Sequence, residues 1–198
     1  MDWHEGFSGS LEIGPDAIVR DNAHVGRCSR VIGKASVSEW AQVRSRGTVA
    51  HMAVMTGRSV VARGAVLTGC ARMSGCAILT NGAVATGYIY LSGEDSVRQD
   101  GYVYEQGHVL TITGLFEESV SLYRTRGGGH KVAAGCQVFE LTDDLEEIAN
   151  ENSWSLPNGW HLVRDLMLTH AESWVGTVDQ FPFWTPEPIG ITTDRTAI

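Results

Sequence analysis

The stretch GAVLTGCARMSGCAILTNGAV at residues 64–84 repeats a six-residue pattern that extends from Ile13 to Val109. Every sixth residue of that span is apolar. In a chain that is 43% hydrophobic, such a run arises by chance roughly once in a million sequences. A series of small residues, mainly alanine, stands two positions before it. Because side chains alternate along a strand, both series face the same side, which predicts short strands joined by corners, a parallel β-helix.

The row DNAHVGRCSRVIGKASV at residues 21–37 and the stretch quoted above resemble the hexapeptide repeats of left-handed β-helices. The left hand and a three-sided coil of three hexads are implied by that resemblance, whereas the periodicity itself establishes only the six. The small series fails at Ile89 and Asp95, which predicts a last coil distorted into a junction. No loop interrupts the hexads from Ile13 to Leu91.

After Tyr102 the hexads give way to ordinary strand and helix patterns. VLTITGLF and SVSLYRT predict strands, and RGGG at residues 126–129 predicts a hairpin turn into HKVAAGCQV. Thr142 can cap a helix with Asp143 and Asp144 in its first turn. A second helix follows Asn158-Gly159, with an apolar stripe at helical spacing formed by Trp160, Val163, Leu166, Met167 and His170.

The whole chain is therefore predicted to be mainly β: a left-handed parallel β-helix (hexapeptide repeat) followed by a small α+β C-terminal cap and an extended C-terminal arm. We expect an N-terminal cap at residues 1–12, the β-helix at 13–101, the α+β cap at 102–174 and the arm at 175–198. The arm contains three prolines, which disfavour a helix. It also contains the aromatic residues Phe181, Phe183 and Trp184, which disfavour a disordered tail.

Outward-pointing apolar residues on two of the three sides predict a partner surface: Val54, Val60, Val66, Ile78 and Val84. Proteins with the hexapeptide β-helix commonly form parallel trimers, so the resemblance favours a homotrimer. A surface for a different partner is the lesser interpretation.

The predicted cap carries a second resemblance. LTITG, YRT at residues 123–125 and GC at residues 135–136, followed by an acidic helix, resemble a module of uncharacterised phage and prophage proteins, where it also follows hexapeptide repeats. The similarity covers residues 109–150. Where those proteins commonly have an aromatic residue and a glycine after GC, this chain has Gln137, Val138 and Phe139. The resemblance implies no catalytic residue.

Net charge and the distribution of apolar residues limit the classes of function that the chain can have. The formal net charge of −8 argues against general nucleic-acid binding, which needs an excess of Lys and Arg. The first ten residues lack the apolar core of a signal peptide, and no apolar run reaches transmembrane length. We expect a cytoplasmic protein without membrane contact, located in the host cytosol if the chain is phage-encoded.

Cys28, Cys70 and Cys76 fall at three different corners of the coil, which favours reduced thiols.

Arginines mark the first candidate site. Arg27, Arg46 and Arg63, with Arg44 just before, fall on one corner when three hexads form a coil. Successive coils are ~4.8 Å apart, so these side chains can line up. In an acidic protein they form either an anion site or half of a set of ion pairs between subunits. An anion site would favour phosphate or carboxylate, which the planar arginine fork binds with two hydrogen bonds.

A second candidate site lies in the cap, at the glycine turn. Tyr123, Arg126 and His130 flank that turn and can line a binding edge. Strand alternation sends Tyr123 to one face and Arg124 to the other, where Arg124 can pair with an acidic residue of the following helix. The structural interpretation is favoured over the binding one.

Enzymatic interpretations depend on two histidines. Acyltransferases that resemble this β-helix use a histidine as general base beside a coenzyme A groove, and His24 and His51 are the candidates on the β-helix. No acidic residue stands at a fixed offset to orient either, and the loop that commonly covers the groove is missing. A zinc site like that of β-helical carbonic anhydrases needs three histidines, two of them close in sequence, and that pair is absent.

The favoured hypothesis is a non-enzymatic, homotrimeric binding protein of phage type, without catalytic residues, metal or cofactor. Its ligand is a phosphate-bearing small molecule, for instance a nucleotide signal of host defence, or else an acidic host protein. The nucleotide signal is implied by the phage resemblance. The alternatives are a coenzyme A-dependent hexapeptide acyltransferase and a structural virion or assembly component.

Overall fold

The structure is a computed structural model, and it describes residues 10–113, 119–141, 147, 150, 151 and 160–173. From residue 12 to residue 103 the chain forms strands of two or three residues separated by corners. They are β1 (Glu12–Ile13), β2 (Ile18–Val19), β3 (His24–Val25), β4 (Arg30–Val31), β5 (Ser36–Val37), β6 (Gln42–Arg44), β7 (Thr48–Val49), β8 (Val54–Met55), β9 (Val60–Ala62), β10 (Val66–Leu67), β11 (Arg72–Met73), β12 (Ile78–Leu79), β13 (Val84–Ala85), β14 (Tyr90–Leu91), β15 (Ser96–Val97) and β16 (Tyr102–Val103).

Each strand from β1 to β13 pairs in parallel with the third strand after it, so the coil has three sides. Sheet A has the order β1-β4-β7-β10-β13-β16, sheet B the order β2-β5-β8-β11-β14, and sheet C the order β3-β6-β9-β12-β15. The register is constant, as in Val31 opposite Val49 and Val66 opposite Val84. This confirms the parallel β-helix, and the three-sided coil fits the left-handed type that the hexapeptide resemblance implies.

The six-residue series fills the interior of the coil. From Val31 to Val103 every member is buried, as are the small residues two positions earlier from Ser29 to Ala83. Backbone N–H groups donate to carbonyls of the next coil, for example from Val54 to Ala71, so the interior needs no polar side chain for its backbone. The interior is therefore a packed core, and any chemistry lies on the outside.

Two details of the β-helix differ from the sequence prediction. The last coil is regular: Ile89 is fully buried, and β14, β15 and β16 keep the register of the coils before them. Asp95 fits because its carboxylate accepts the backbone N–H of Ser92 at 2.8 Å. The outward valines also lie on all three sides rather than two, because Val54 belongs to sheet B.

The cap continues directly from the last coil. After a short 3-10 helix (Gln106–His108), strands β17 (Val109–Ile112), β18 (Val120–Arg124), β19 (His130–Ala134) and β20 (Gln137–Glu140) form an antiparallel sheet in sequence order. The predicted glycine turn joins β18 to β19. Helix α1 (Trp160–Glu172) packs on this sheet.

The two faces of the cap sheet have different neighbours. Tyr123 and Ala133 join the core of the β-helix and close its end. The opposite face, with Val120, Leu122, Val132 and Ala134, packs against Val163, Met167 and Ala171 of α1. The strand alternation predicted for Tyr123 and Arg124 is thus present.

The predicted stripe of α1 needs one correction. Leu166 is 51% exposed, and the buried stripe runs instead through Val163, Met167 and Ala171. Val163, Met167 and Ala171 are four residues apart and share one side of the helix, and that side is the one that meets the sheet. The N-terminal segment 1–9, the acidic first turn of the other predicted helix at residues 142–146 and the arm at 175–198 lie outside the described residues.

Candidate functional site: the arginine corner and the tyrosine groove

The chain turns from sheet C to sheet A at one corner, and the four predicted arginines lie there. Arg27 follows β3, Arg44 ends β6, Arg46 follows it, and Arg63 follows β9. All four are exposed, and they occupy three successive coils. We call this set (Arg27, Arg44, Arg46 and Arg63) the arginine corner. The structure therefore brings these candidates together as the hexad count predicted.

The backbone of this corner is left-handed at residues other than glycine. Arg63 has φ 52°, and Ser45, Asn81 and Gln99 take nearly the same angle at the equivalent position of other coils. Arg46 has φ 67°, whereas Gly64 and Gly82 occupy its place in the next two coils. A left-handed residue with a side chain costs about 1–2 kcal/mol relative to a right-handed one. The side chains at this corner are thus held at positions where glycine would be less strained.

The four side chains that define the arginine corner are all positively charged. Among the described residues, Arg27, Arg44 and Arg63 take part in none of the ion pairs, which instead involve Arg20, Arg30, Lys131 and Arg164. Like charges one coil apart repel by about 1 kcal/mol or less in water. Arg27, Arg44 and Arg63 therefore have positive charge available to an anion or to acidic groups of another chain.

Apolar side chains flank the arginine corner on both adjacent sheets. Val60 and Ile78 project from sheet C, and Val66 projects from sheet A; all three are half-buried in the single chain, while Val84 is buried. If another copy covers these two sheets, the arginine corner comes to lie at a junction between chains.

Of the cap candidates, Arg126 lies at the same corner two coils beyond Arg63, where its backbone N–H donates to the carbonyl of Asp100 at 3.0 Å, whereas Tyr123 is set apart by burial. Tyr123 is fully buried, so its ring closes the β-helix core rather than lining an exposed edge, and burial raises the pKa of its hydroxyl. His130 is half-buried, opposite Arg124 on the paired strand. Arg126 is exposed, and its guanidinium carbon lies 5.8 Å from the centre of the Tyr102 ring. The binding role of these three residues stays a prediction, and Arg126 is the one placed to meet a ligand.

Arg124 is the charged member of a group in the cap that also contains His108 and His130. Arg124 is 3% exposed, and its Nη1 is 3.4 Å from Nε2 of His108, which is itself buried. Burial first, and then the charges of Arg124 and His130, lower the pKa of His108 to about 4. Burial and Arg124 also lower the pKa of His130. These histidines are therefore neutral at pH 7.

A groove that the sequence did not predict lies at a different corner, between sheets A and B. Its volume is about 590 Å³, within the range of small-molecule sites, and it is lined by His51, Thr68, Gly69, Cys70, Thr86, Gly87, Tyr88, Tyr102, Tyr104 and Glu105. We call it the tyrosine groove. The signal available in the sequence was the replacement of small or aliphatic residues by tyrosine at equivalent hexad positions of the last coils, as in Val84 followed by Tyr102.

The two candidate histidines differ in surroundings. His24 lies on β3, on sheet C, whereas His51 occupies a corner with φ 59° and lines the tyrosine groove. Nδ1 of His51 is 2.7 Å from the hydroxyl oxygen of Thr68. Within the described part of the chain, no group of three or more His, Cys, Asp or Glu residues could hold a metal ion.

Comparison with protein-family models gave no match, and neither did comparison with curated proteins. Among the helices of the described residues, none has the length and apolar character required to cross a lipid bilayer. The class of protein is thus defined by the fold alone, a parallel β-helix with a small cap.

Proposed function

We propose that the chain is a non-enzymatic binding protein of phage type, assembled as a homotrimer, that captures a phosphate-bearing small molecule at the arginine corner. The observation that carries the proposal is the stacking of four exposed arginines at one corner of three successive coils. Their guanidinium groups can each offer two parallel hydrogen bonds to a phosphate. A rigid coil supports them, so little ordering is required on binding.

The left-handed backbone is common to the corners of this β-helix, since Asp21, Glu39 and His51 adopt it at other corners. Cys28 in the coil before and Gly64 and Gly82 in the two coils after occupy the equivalent position, so the fold itself does not require arginine at Arg46. The side chain is therefore more easily explained by what it binds.

The phosphate-bearing molecule is of the nucleotide type if the phage resemblance holds, in which case the protein sequesters a signal of host defence. An acidic host protein would meet the same charges. The trimer would place three arginine corners beside subunit junctions, because apolar residues flank the corner on both adjacent sheets. Ion pairs between subunits are the structural explanation of the same arrangement, and a virion or assembly component would bind no small molecule.

One observation favours a second function, that of a coenzyme A-dependent acyltransferase. His51 lines a groove of suitable size, and its ring nitrogen is hydrogen-bonded to Thr68. A histidine held by a hydroxyl is oriented for proton transfer, although a hydroxyl does not stabilise the imidazolium as a carboxylate would. This function predicts turnover that disappears in His51→Asn.

The experiment that tests the proposal is calorimetric titration with inorganic pyrophosphate at low salt. The variant R46E/R63E should lose binding at least tenfold, because two attractive charges become repulsive. Its matched control is R58E/R72E, which makes the same change in net charge at exposed arginines away from the corner. The control should bind pyrophosphate like the wild type, and both variants should remain trimers with nearly unchanged melting temperature.

Two results would count against the proposal. If R46E/R63E dissociates while wild type binds no pyrophosphate, the corner serves ion pairs between subunits. If the control loses binding as strongly as the corner variant, attraction to pyrophosphate reflects overall charge only.

A further inference from the structure

We infer that the tyrosine groove is a second binding site, separate from the arginine corner, which takes a planar aromatic ring carrying an anionic group. The groove lies between sheets A and B, whereas the arginines lie between sheets C and A. The inference is independent of the proposed function, because a different corner and different side chains carry it.

The walls of the groove are suited to a flat ring. Tyr102 and Tyr104 meet edge to face, with ring centres 6.0 Å apart and an angle of 61° between their planes. The ring of Tyr104 is held from another direction by His108, at 4.2 Å and 84°. Two walls of the site are thus fixed before a ligand arrives, which lowers the entropic cost of binding.

Tyr88 supplies an adjustable wall. Its side chain is 86% exposed although it lines the groove. An aromatic ring that is exposed at a concave site contributes binding free energy when it stacks on a ligand. Such stacking raises the affinity roughly tenfold or more. Tyr88 is therefore the residue whose removal should affect the ligand and spare the fold.

Two of the residues that line the groove have to be glycine. A Cβ atom at Gly87 would lie 2.7 Å from the carbonyl oxygen of Tyr104, and one at Gly69 would lie 3.0 Å from the backbone nitrogen of Gly87. Both glycines also have positive φ angles. The coils thus approach too closely for a side chain, and the opening beside them admits a planar group.

Charge gives the site its preference for an anion. Arg126 supplies the positive charge, because its guanidinium carbon lies 5.8 Å from the centre of the Tyr102 ring, which lines the groove. Glu105 is the carboxylate among the lining residues and follows Tyr104 in the chain, so the anionic group of the ligand belongs on the Tyr102 side. The volume of about 590 Å³ suits a small molecule and is too small for a folded partner.

The test uses three probes that share one ring and differ in charge: indole, indole acetate and tryptamine. Calorimetric titration of the full chain should give the highest affinity for indole acetate and the lowest for tryptamine. Tyr88→Ala should weaken indole acetate binding roughly tenfold. The matched control is Tyr90→Ala, because Tyr90 is also exposed, hydrogen-bonds Ser74 and does not line the groove; it should bind like the wild type.

A second variant tests the preference of the groove for an anionic ligand. Arg126→Gln should remove most of the preference for indole acetate over indole and leave indole itself bound. R46E/R63E should bind indole acetate unchanged, which separates this site from the arginine corner. Absence of binding by all three probes, tryptamine as the best ligand, or equal losses in Tyr88→Ala and Tyr90→Ala would each overturn the inference.

Discussion

The β-helix and the cap differ in the polar groups that they bury. The interior of the β-helix contains aliphatic side chains with a few small hydroxyl residues, such as Ser29 and Ser59, and its backbone is satisfied by the next coil. The cap buries His108, Arg124 and the ring of Tyr123. Groups that titrate or carry charge are expensive to bury, so the stability of the cap depends on pH and on specific partners. The stability of the β-helix depends instead on apolar packing and on backbone hydrogen bonds between coils.

The largest expected effect is on the interior of the β-helix. Val43→Asp should unfold the chain at 25 °C, because Val43 is fully buried and a carboxylate there costs several kcal/mol with no partner to bind. Circular dichroism during heating measures this. Gln42→Asp, one residue away on the outward side of β6, is the matched control and should melt close to wild type. A cooperative melt of Val43→Asp within a few degrees of wild type would contradict the register of the coil.

A second effect concerns the outer face of the β-helix, where Val60 and Val66 project outward instead of into the core. Val60→Lys together with Val66→Lys should leave the coil folded and make the proposed trimer dissociate on dilution, because both side chains flank the arginine corner and are half-buried before any partner is added. Light scattering at several concentrations measures it. Val54→Lys, on sheet B, is the matched control and should stay trimeric; retention of three subunits in the double variant would mean that sheets C and A are not the interface.

A smaller effect should appear in the cap when the pH is lowered from 7 to 5. The pKa of His108 is about 4 in the folded chain and 6.5 in its ordinary state, so the unfolded chain binds more protons between these values. The contribution of His108 to the stability of the cap is therefore fully present above pH 6.5 and is lost as the pH falls toward 4. The loss is about 2 kcal/mol at pH 5. The lowered pKa of His130 acts in the same direction.

Calorimetric melting of wild type and His108→Gln at pH 7 and pH 5 measures this. The glutamine variant should show a clearly weaker dependence on pH than wild type. Identical pH dependence of the two proteins would mean that His108 does not control the stability of the cap.

The contrast between the two regions also explains what could be predicted from the sequence. Interior positions such as Val31 and Val97 recur every six residues, so the repeat alone placed them, and three hexads per coil placed the arginines on one corner. The tyrosine groove was missed because Tyr88, Tyr102 and Tyr104 are adjacent only after stacking, and their partner Arg126 comes from the cap. Leu166 was misplaced because helix orientation on a sheet depends on contacts distant in sequence.

The arginine corner as a phosphate site is tested most directly by native mass spectrometry of the protein taken from cells, wild type beside R46E/R63E and R58E/R72E. The wild type and the R58E/R72E control should appear as three chains with additional mass that contains phosphate. R46E/R63E should appear as three chains with the bare protein mass. Wild type without added mass, together with an R46E/R63E protein that falls apart into single chains, would contradict the binding site and leave the arginines as contacts between subunits.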